Sequence, residues 1–268
     1  PNLRDSLGPI GGIITFYSSL NIASLYLNGE ILSYTFFQIN ETLSISFKIN
    51  GLGVIFGLVA SGLWILASIY TIGYMRGNKE KNQTRFFTFY SIAIFAAICI
   101  AYSGNLLTLF IFYEVLTFST YPLVAHKQNK EAKKAGRLYM GILVGTSIVF
   151  LLPAIIIVWV LTGSLDFAPN GVLKGNISNE YVPFLLALFA FGIGKAALMP
   201  FHKWLPAAMV APTPVSALLH AVAVVKAGVF SMLVVITYVF GIDFLTETSG
   251  AVWLIWVSSI TLLLSSCI

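Results

Sequence analysis

Glu114, Lys195, His220 and Lys226 are ionisable side chains standing inside runs of Ala, Val, Leu and Phe. A charge at the centre of a membrane helix costs about 2.5 to 3.5 kcal/mol, so such residues call for a partner or a hydrated cavity. Buried carboxylates, ammoniums and imidazoles respond to one another's charge, and a set of this kind can hand protons on in steps. No Gly-rich phosphate loop, no nucleophile beside a base and no Cys/His cluster at metal-ligand spacing accompanies them. Hydrolysis and group transfer are therefore not expected, and neither is a bound metal or other cofactor. The plainer alternative is a Glu114–Lys195 ion pair that only locks two helices together, although such a pair often costs more in desolvation than it returns.

The surrounding sequence must hold these groups at depth. Glu114 lies nine residues beyond Asn105, where the apolar run "LLTLFIFYEVLTFSTYPLV" begins; at 1.5 Å per residue this is ~13 Å into a span, close to the bilayer centre. Lys195 follows Gly192 and Gly194 and precedes Pro200 and Pro206. Each proline removes an amide donor and clashes with the preceding turn. The stretch 181–211 is thus expected to be one discontinuous span, broken near Ala196 to Pro200, with Lys195 at mid-depth beside freed carbonyls. His220 and Lys226 share the next span but lie six residues apart, which is ~240° around a helix and ~9 Å along it. They face different partners. His126 and His202, next to Lys127 and Lys203 at span ends, read as interfacial.

The composition sets the class. Of 268 residues 58% are hydrophobic and 9% charged, against roughly a quarter charged in soluble domains. A polytopic all-α membrane bundle is expected, with spans near 7–27, 50–75, 86–103, 105–125, 138–162, 181–211, 213–240 and 250–268. The stretch 7–27 lacks a cleavage site and reads as a span rather than a signal peptide. Between the first two spans, "GEILSYTFFQINETLSISFKIN" alternates polar and apolar residues around Asn40 and Glu41, the pattern of a β-hairpin outside the membrane. Cys99 and Cys267 lie in apolar runs and read as buried thiols. The chain opens on Pro1 and stops at Ile268 inside an apolar run, so both ends read as cut from a longer protein.

Basic residues give the orientation. The loops 76–85 and 126–137, with Arg4 and Lys203, put 11 of the 15 Lys and Arg on one side, which the positive-inside rule assigns to the cytoplasm. Glu30, Glu41, Asp166, Glu180, Asp243 and Glu247 fall on the other. The net charge of +5 therefore reports topology, and nucleic-acid binding is not expected.

The segments "GKAALMPFHKWLPAAM" (194–209), "APTPVSALLHAVAVVKAGVF" (211–230), "YTIGYMRG" (70–77) and "NLLTLFIFYEVLTFSTYPLV" (105–124) resemble the proton-translocating subunits shared by respiratory complex I, membrane-bound hydrogenases and Mrp-type multisubunit Na+/H+ antiporters. The resemblance covers nearly the whole chain. It implies the first half of an inverted-repeat antiporter-like fold: N-terminal helices and the extracytoplasmic hairpin in 1–85, a first five-helix repeat in 86–240 and the start of a second repeat in 241–268. It also implies that Glu114 and Lys195 are the carboxylate and lysine of a half-channel, that His220 and Lys226 connect it onward, and that other membrane subunits are partners.

The sequence departs from the family in lacking the first helix and most of the second repeat. It also has Thr146 or Ser147 where some complex I subunits carry an aspartate, and together with His220 and Lys226 this favours the Mrp branch. The expected function is proton translocation, with Na+ as the exchanged ion, in a bacterial inner membrane or an equivalent energy-coupling membrane. The alternatives are a proton-pumping subunit of complex I or of a hydrogenase, a haem- or quinone-binding redox subunit, and a structural anchor.

Overall fold

The computed structural model describes residues 2–267, with side chains from Arg4 onward; Pro1 and Ile268, the expected cut ends, lie outside the described residues. Helix α1 (Asn2–Leu27) leads through an antiparallel hairpin, β1 (Ser33–Gln38) and β2 (Ser44–Lys48), to α2 (Gly51–Gly77), α3 (Gln83–Ala101) and α4 (Leu106–Val124). A long rod follows, made of α5 (Lys130–Thr146), a π-helical turn (Ser147–Leu151) and α6 (Leu152–Thr162). The chain continues with α7 (Val182–Gly192), a short α8 (Trp204–Ala207), then α9 (Thr213–Ala217), a π turn over His220, α10 (Val224–Val234) and a second π turn to Phe240. Helices α11 (Ile242–Thr248) and α12 (Val252–Cys267) close it. Among the described residues six helices are long and apolar enough to cross a membrane, and α11 with α12 make a seventh if their 99° bend is taken as one span.

Local chemistry explains the boundaries. Asn50, Asn105 and Asn129 each precede a helix and accept a hydrogen bond from the third amide after them, at 2.7–2.8 Å, satisfying a donor that the helix itself leaves free. Gly163 ends α6 at φ +70°, the left-handed closure that glycine adopts without strain. Asn40 turns the expected hairpin, its Oδ1 accepting from the Thr42 and Leu43 amides.

The bundle is apolar inside and outside. Ala60 on α2 and Ala93, Ala96, Ala97 and Ala101 on α3 are fully buried, small residues that let helix backbones approach in the absence of a hydrophobic drive. Ile55, Leu66, Phe95 and Val160 point outward, which is the surface lipid requires. Cys99 is buried as expected; Cys267, expected to be buried, is exposed on α12.

The two ends differ in charge. At one end Asp5 accepts hydrogen bonds from Arg4 and Arg76, each at 2.7 Å, Arg4 reaches Gln83, and Arg85 donates to the His126 carbonyl. The basic loops thus meet at one end of the bundle. At the other end the hairpin is pinned to the start of α4: the Gly104 amide donates to Ser46 O, the Ser46 amide to Thr108 Oγ1, and the Asn105 side-chain amide to Ser44 O and Ser46 Oγ. Lys174 pairs with Glu247 at 3.1 Å.

Candidate functional site

The span expected at 181–211 is interrupted. Helix α7 stops at Gly192, Gly194–Ala196 form a single 3-10 turn, Ala197 is left-handed at φ +56°, and regular helix returns only at Trp204. The break opens at Ile193, a few residues before the position expected from the prolines, because glycines on both sides of Ile193 weaken that turn first. Gly194 faces Thr146 of α5, and an added Cβ there would collide with its hydroxyl. Gly228 of α10 closes the other side: an added Cβ would sit 2.5 Å from the Lys195 carbonyl carbon and collide with the Ala196 nitrogen. The Lys195 backbone is therefore gripped between α5 and α10. The Gly194 carbonyl, freed from helical bonding, accepts the Trp204 indole N–H at 3.0 Å.

Lys195 is fully buried. Its Nζ donates to the Tyr113 carbonyl at 2.8 Å and to Thr117 Oγ1 at 2.5 Å, and sits 3.1 Å from the centre of the Tyr113 ring. Its own amide donates to Tyr113 Oη at 3.1 Å. Tyr113 and Thr117 lie one turn apart on one face of α4, ~12 Å and more along the helix from its cap, so the ammonium is held at the middle of the bundle. Charge-assisted bonds and the ring quadrupole supply what water would otherwise give.

Glu114 is on the same turn, within electrostatic range of the ammonium. Among the described residues its two carboxylate oxygens are buried without a hydrogen-bond partner, and no ion pair joins it to Lys195. The Glu114–Lys195 ion pair weighed from the sequence does not form; Tyr113 and Thr117 occupy the lysine instead. A buried carboxylate without a partner is a costly charge until an ammonium, water or a proton joins it. From the lysine, hydroxyls continue along α4 toward the basic end: Thr120 Oγ1 donates to the Thr117 carbonyl and lies 2.6 Å from Tyr139 Oη, and Tyr139 packs edge-on against Trp204.

His220 and Lys226 are not part of this cluster. His220 is half-buried in its π turn, with Nε2 3.2 Å from the Met209 sulfur. Lys226, beyond a kink at Ala223 (φ −120°, ψ −65°), is exposed on the outside of α10. His126 lies just past α4 as expected, yet it is buried edge-on against Phe86; burial, with Arg85 beside it, holds the imidazole below its ordinary range. Among the described residues no three His, Cys, Asp or Glu side chains converge to hold a metal. Sequence reasoning missed Tyr113, Thr117 and Trp204. The available signal was Thr117 and Tyr113 flanking Glu114 at helical spacing within an apolar run.

Residues 103–268 match the family model described as NADH:quinone oxidoreductase/Mrp antiporter, transmembrane, and residues 36–87 match that of the complex I chain 5 N-terminus. A Staphylococcus haemolyticus protein designated antiporter subunit mnhA2 is 30% identical over 190 residues, 70% of this chain and 24% of its own. Its Staphylococcus aureus counterpart is 28% identical over 241 residues, 86% of this chain and 30% of its own. The chain thus spans less than a third of the length of these relatives. Two solved assemblies contain chains of the same fold: an archaeal membrane-bound sulfane sulfur reductase (TM-score 0.70, 24% identity, 87% of this chain and 50% of that one) and the Mrp complex of Dietzia sp. (TM-score 0.73, 20% identity, 87% and 26%). With the family model covering more than half of its residues and its apolar spans already described, this chain is an integral membrane protein that belongs to the NADH:quinone oxidoreductase/Mrp antiporter family.

Proposed function

We propose that the chain forms the first proton-conducting half of an Mrp-type cation/proton antiporter subunit, with Glu114 and Lys195 as its switching pair and His220 and Lys226 leading onward. The observation that carries this reading is the fully buried Lys195 in a helix break, near a carboxylate whose buried oxygens have no hydrogen-bond partner among the described residues. The ammonium alternates between the Tyr113–Thr117 cradle and Glu114, and each move changes the charge that its neighbours feel. The hydroxyls of Thr117, Thr120 and Tyr139 give protons a polar line from the basic end.

Lys226, exposed on α10, suits transfer to a further repeat or subunit rather than within this one. Residues 86–240 contain five spans with the broken one fourth, which supports a first repeat there, with 1–85 as its N-terminal extension and 241–268 opening a second. The basic end is cytoplasmic on the positive-inside rule, Na+ is the exchanged ion, and the partners are other membrane subunits. A proton-pumping subunit of a complex I-like enzyme is the second reading, favoured by the match at residues 36–87 to the complex I chain 5 N-terminus.

The test replaces Lys195 in the full-length protein and measures cation-dependent proton movement in vesicles, with assembly checked on a native gel. Lys195→Ala removes the carrier and is expected to abolish exchange. Lys195→Arg keeps the charge, but a guanidinium does not release its proton, so exchange is lost as well. Unchanged exchange in an assembled Lys195→Arg protein would reduce the lysine to a structural counter-ion. Copurifying flavin or iron–sulfur subunits would select the second reading.

A further inference from the structure

The rod of α5 and α6 runs 33 residues, Lys130–Thr162, or ~50 Å, and a hydrocarbon core spans only ~30 Å. Its first turns must stand outside that core. The level is set by α4, which ends at Val124. Gly136 of α5 packs against that last turn, and a Cβ there would lie 3.0 Å from the Tyr121 ring and 3.3 Å from Ala125. Lys133 therefore lies just outside the membrane boundary, Arg137 at it, and residues after Arg137 beneath it.

At that level α4 and α5 part to leave a groove of about 420 Å³ lined by Tyr121, Pro122, Ala125, Gln128, Lys133 and Arg137. It contains two cations and no carboxylate. Lys127, Lys130 and Lys134, with the single carboxylate Glu131, stand close by in the chain, and the Gln128 side chain is held at the rim through its bond to the Ala125 carbonyl. Below the groove, the stripe that begins with Lys133 and Arg137 continues at four-residue steps through Gly141 and Gly145, where among the described residues no other part of the protein comes within 4 Å of an added Cβ. On the α4 side Phe118 is exposed. The cationic groove lies at headgroup level, and the side-chain-free face at Gly141 and Gly145 follows it along α5 toward acyl-chain depth.

We propose that this surface is a binding site for an anionic glycerophospholipid: Lys133 and Arg137 hold its phosphate, Tyr121 and Gln128 flank the headgroup, and one acyl chain runs over Gly141 and Gly145. Charge complementarity selects the occupant, since the groove offers only positive charge at the depth where lipid phosphates lie. The site is independent of the proton-transfer reading, because it uses neither Glu114 nor Lys195 nor the groups that bond Lys195.

The test measures phosphatidylglycerol against phosphatidylcholine retained by the purified full-length protein, using native mass spectrometry with added lipid. The wild type is expected to prefer phosphatidylglycerol. Lys133→Gln with Arg137→Gln is expected to lower its affinity about 25-fold, at roughly fivefold per cation near a membrane surface. Both residues are exposed, so folding is not at stake. Gly141→Leu with Gly145→Leu covers the side-chain-free face and is expected to lower affinity several-fold in protein that unfolds at an unchanged temperature. Lys79→Gln with Lys81→Gln, removing two cations from the other basic loop, is expected to leave it unchanged. The proposal is overturned if the Lys79/Lys81 variant loses as much, which means unspecific surface charge. It is equally overturned if stable glycine variants bind normally or if inorganic phosphate displaces the lipid completely, either of which means a free-anion site. Exclusion of the lipid by a copurifying subunit would mean that the groove is a protein interface.

Discussion

Replacing Gly228 by alanine adds one methyl group to α10, nearly the smallest change a helix can undergo, and it should disable the lysine on the neighbouring element. The added Cβ would lie 2.5 Å from the Lys195 carbonyl carbon, whereas carbon atoms rest at about 3.5 Å or more. The Lys195–Ala196 peptide must therefore retreat by ~1 Å. That peptide is already gripped from the other side, where Gly194 meets Thr146, so the displacement passes into the side chain and its bonds at 2.8 Å to the Tyr113 carbonyl and 2.5 Å to Thr117.

Hydrogen bonds to a charged group contribute ~1.5–3 kcal/mol each, and a 1 Å misplacement of a reacting group can cost on the order of 10²-fold in rate. Cation/proton exchange in vesicles is expected to fall by more than about tenfold. Overpacking should also cost ~1–3 kcal/mol of stability, offset in part by the better helix propensity of alanine. Gly73→Ala is the control, since nothing lies within 4 Å of its added methyl, and it should retain full exchange. If Gly228→Ala exchanges ions as fast as Gly73→Ala, the grip on Lys195 has no functional role and the reasoning fails.

Two further outcomes follow from the same geometry. Thr117→Val keeps the shape but removes an acceptor from a buried ammonium, so exchange should drop about tenfold or more, while Thr117→Ser should restore most of it; equal activity of the valine and serine variants would refute the cradle. His126 is held below its ordinary range by burial and by Arg85, so the folded protein binds fewer protons there than the unfolded chain does. Stability from this group is present above the ordinary histidine range near 6.5 and is lost as pH falls below it. The unfolding temperature in detergent should therefore decline between pH 7 and 5, and His126→Phe should flatten that decline; an unaltered slope would discount the histidine.

Much of this architecture was legible because membranes impose strong rules. Long apolar runs gave the spans, Asn40 between alternating residues gave the hairpin, and Gly192, Gly194, Pro200 and Pro206 gave the break. Charge counting correctly put Arg4 and the loops 76–85 and 126–137 at one end. What was not legible is direction. Helices that are apolar all round carry no stripe to say which face turns inward, so nothing in the sequence showed that Lys226 looks outward while Lys195 is enclosed. The start of the fifth span was set at 138 because the charges from Lys130 to Arg137 were assigned to a loop; they extend the helix beyond the membrane instead. The ammonium's partners were hidden for another reason. Tyr113 and Thr117 meet Lys195 across 82 and 78 residues of sequence, and such contacts arise only when the break folds back onto α4.

The bonds from β2 to Gly104, Asn105 and Thr108 have a mechanical meaning. They join the hairpin to the first turn of α4 without a flexible joint, and α4 is the same rod that carries Tyr113, Glu114 and Thr117. The outer strand β1 is exposed along its whole length. A force on that strand would reach the first turn of α4 through these bonds, about 12 Å from the lysine cradle.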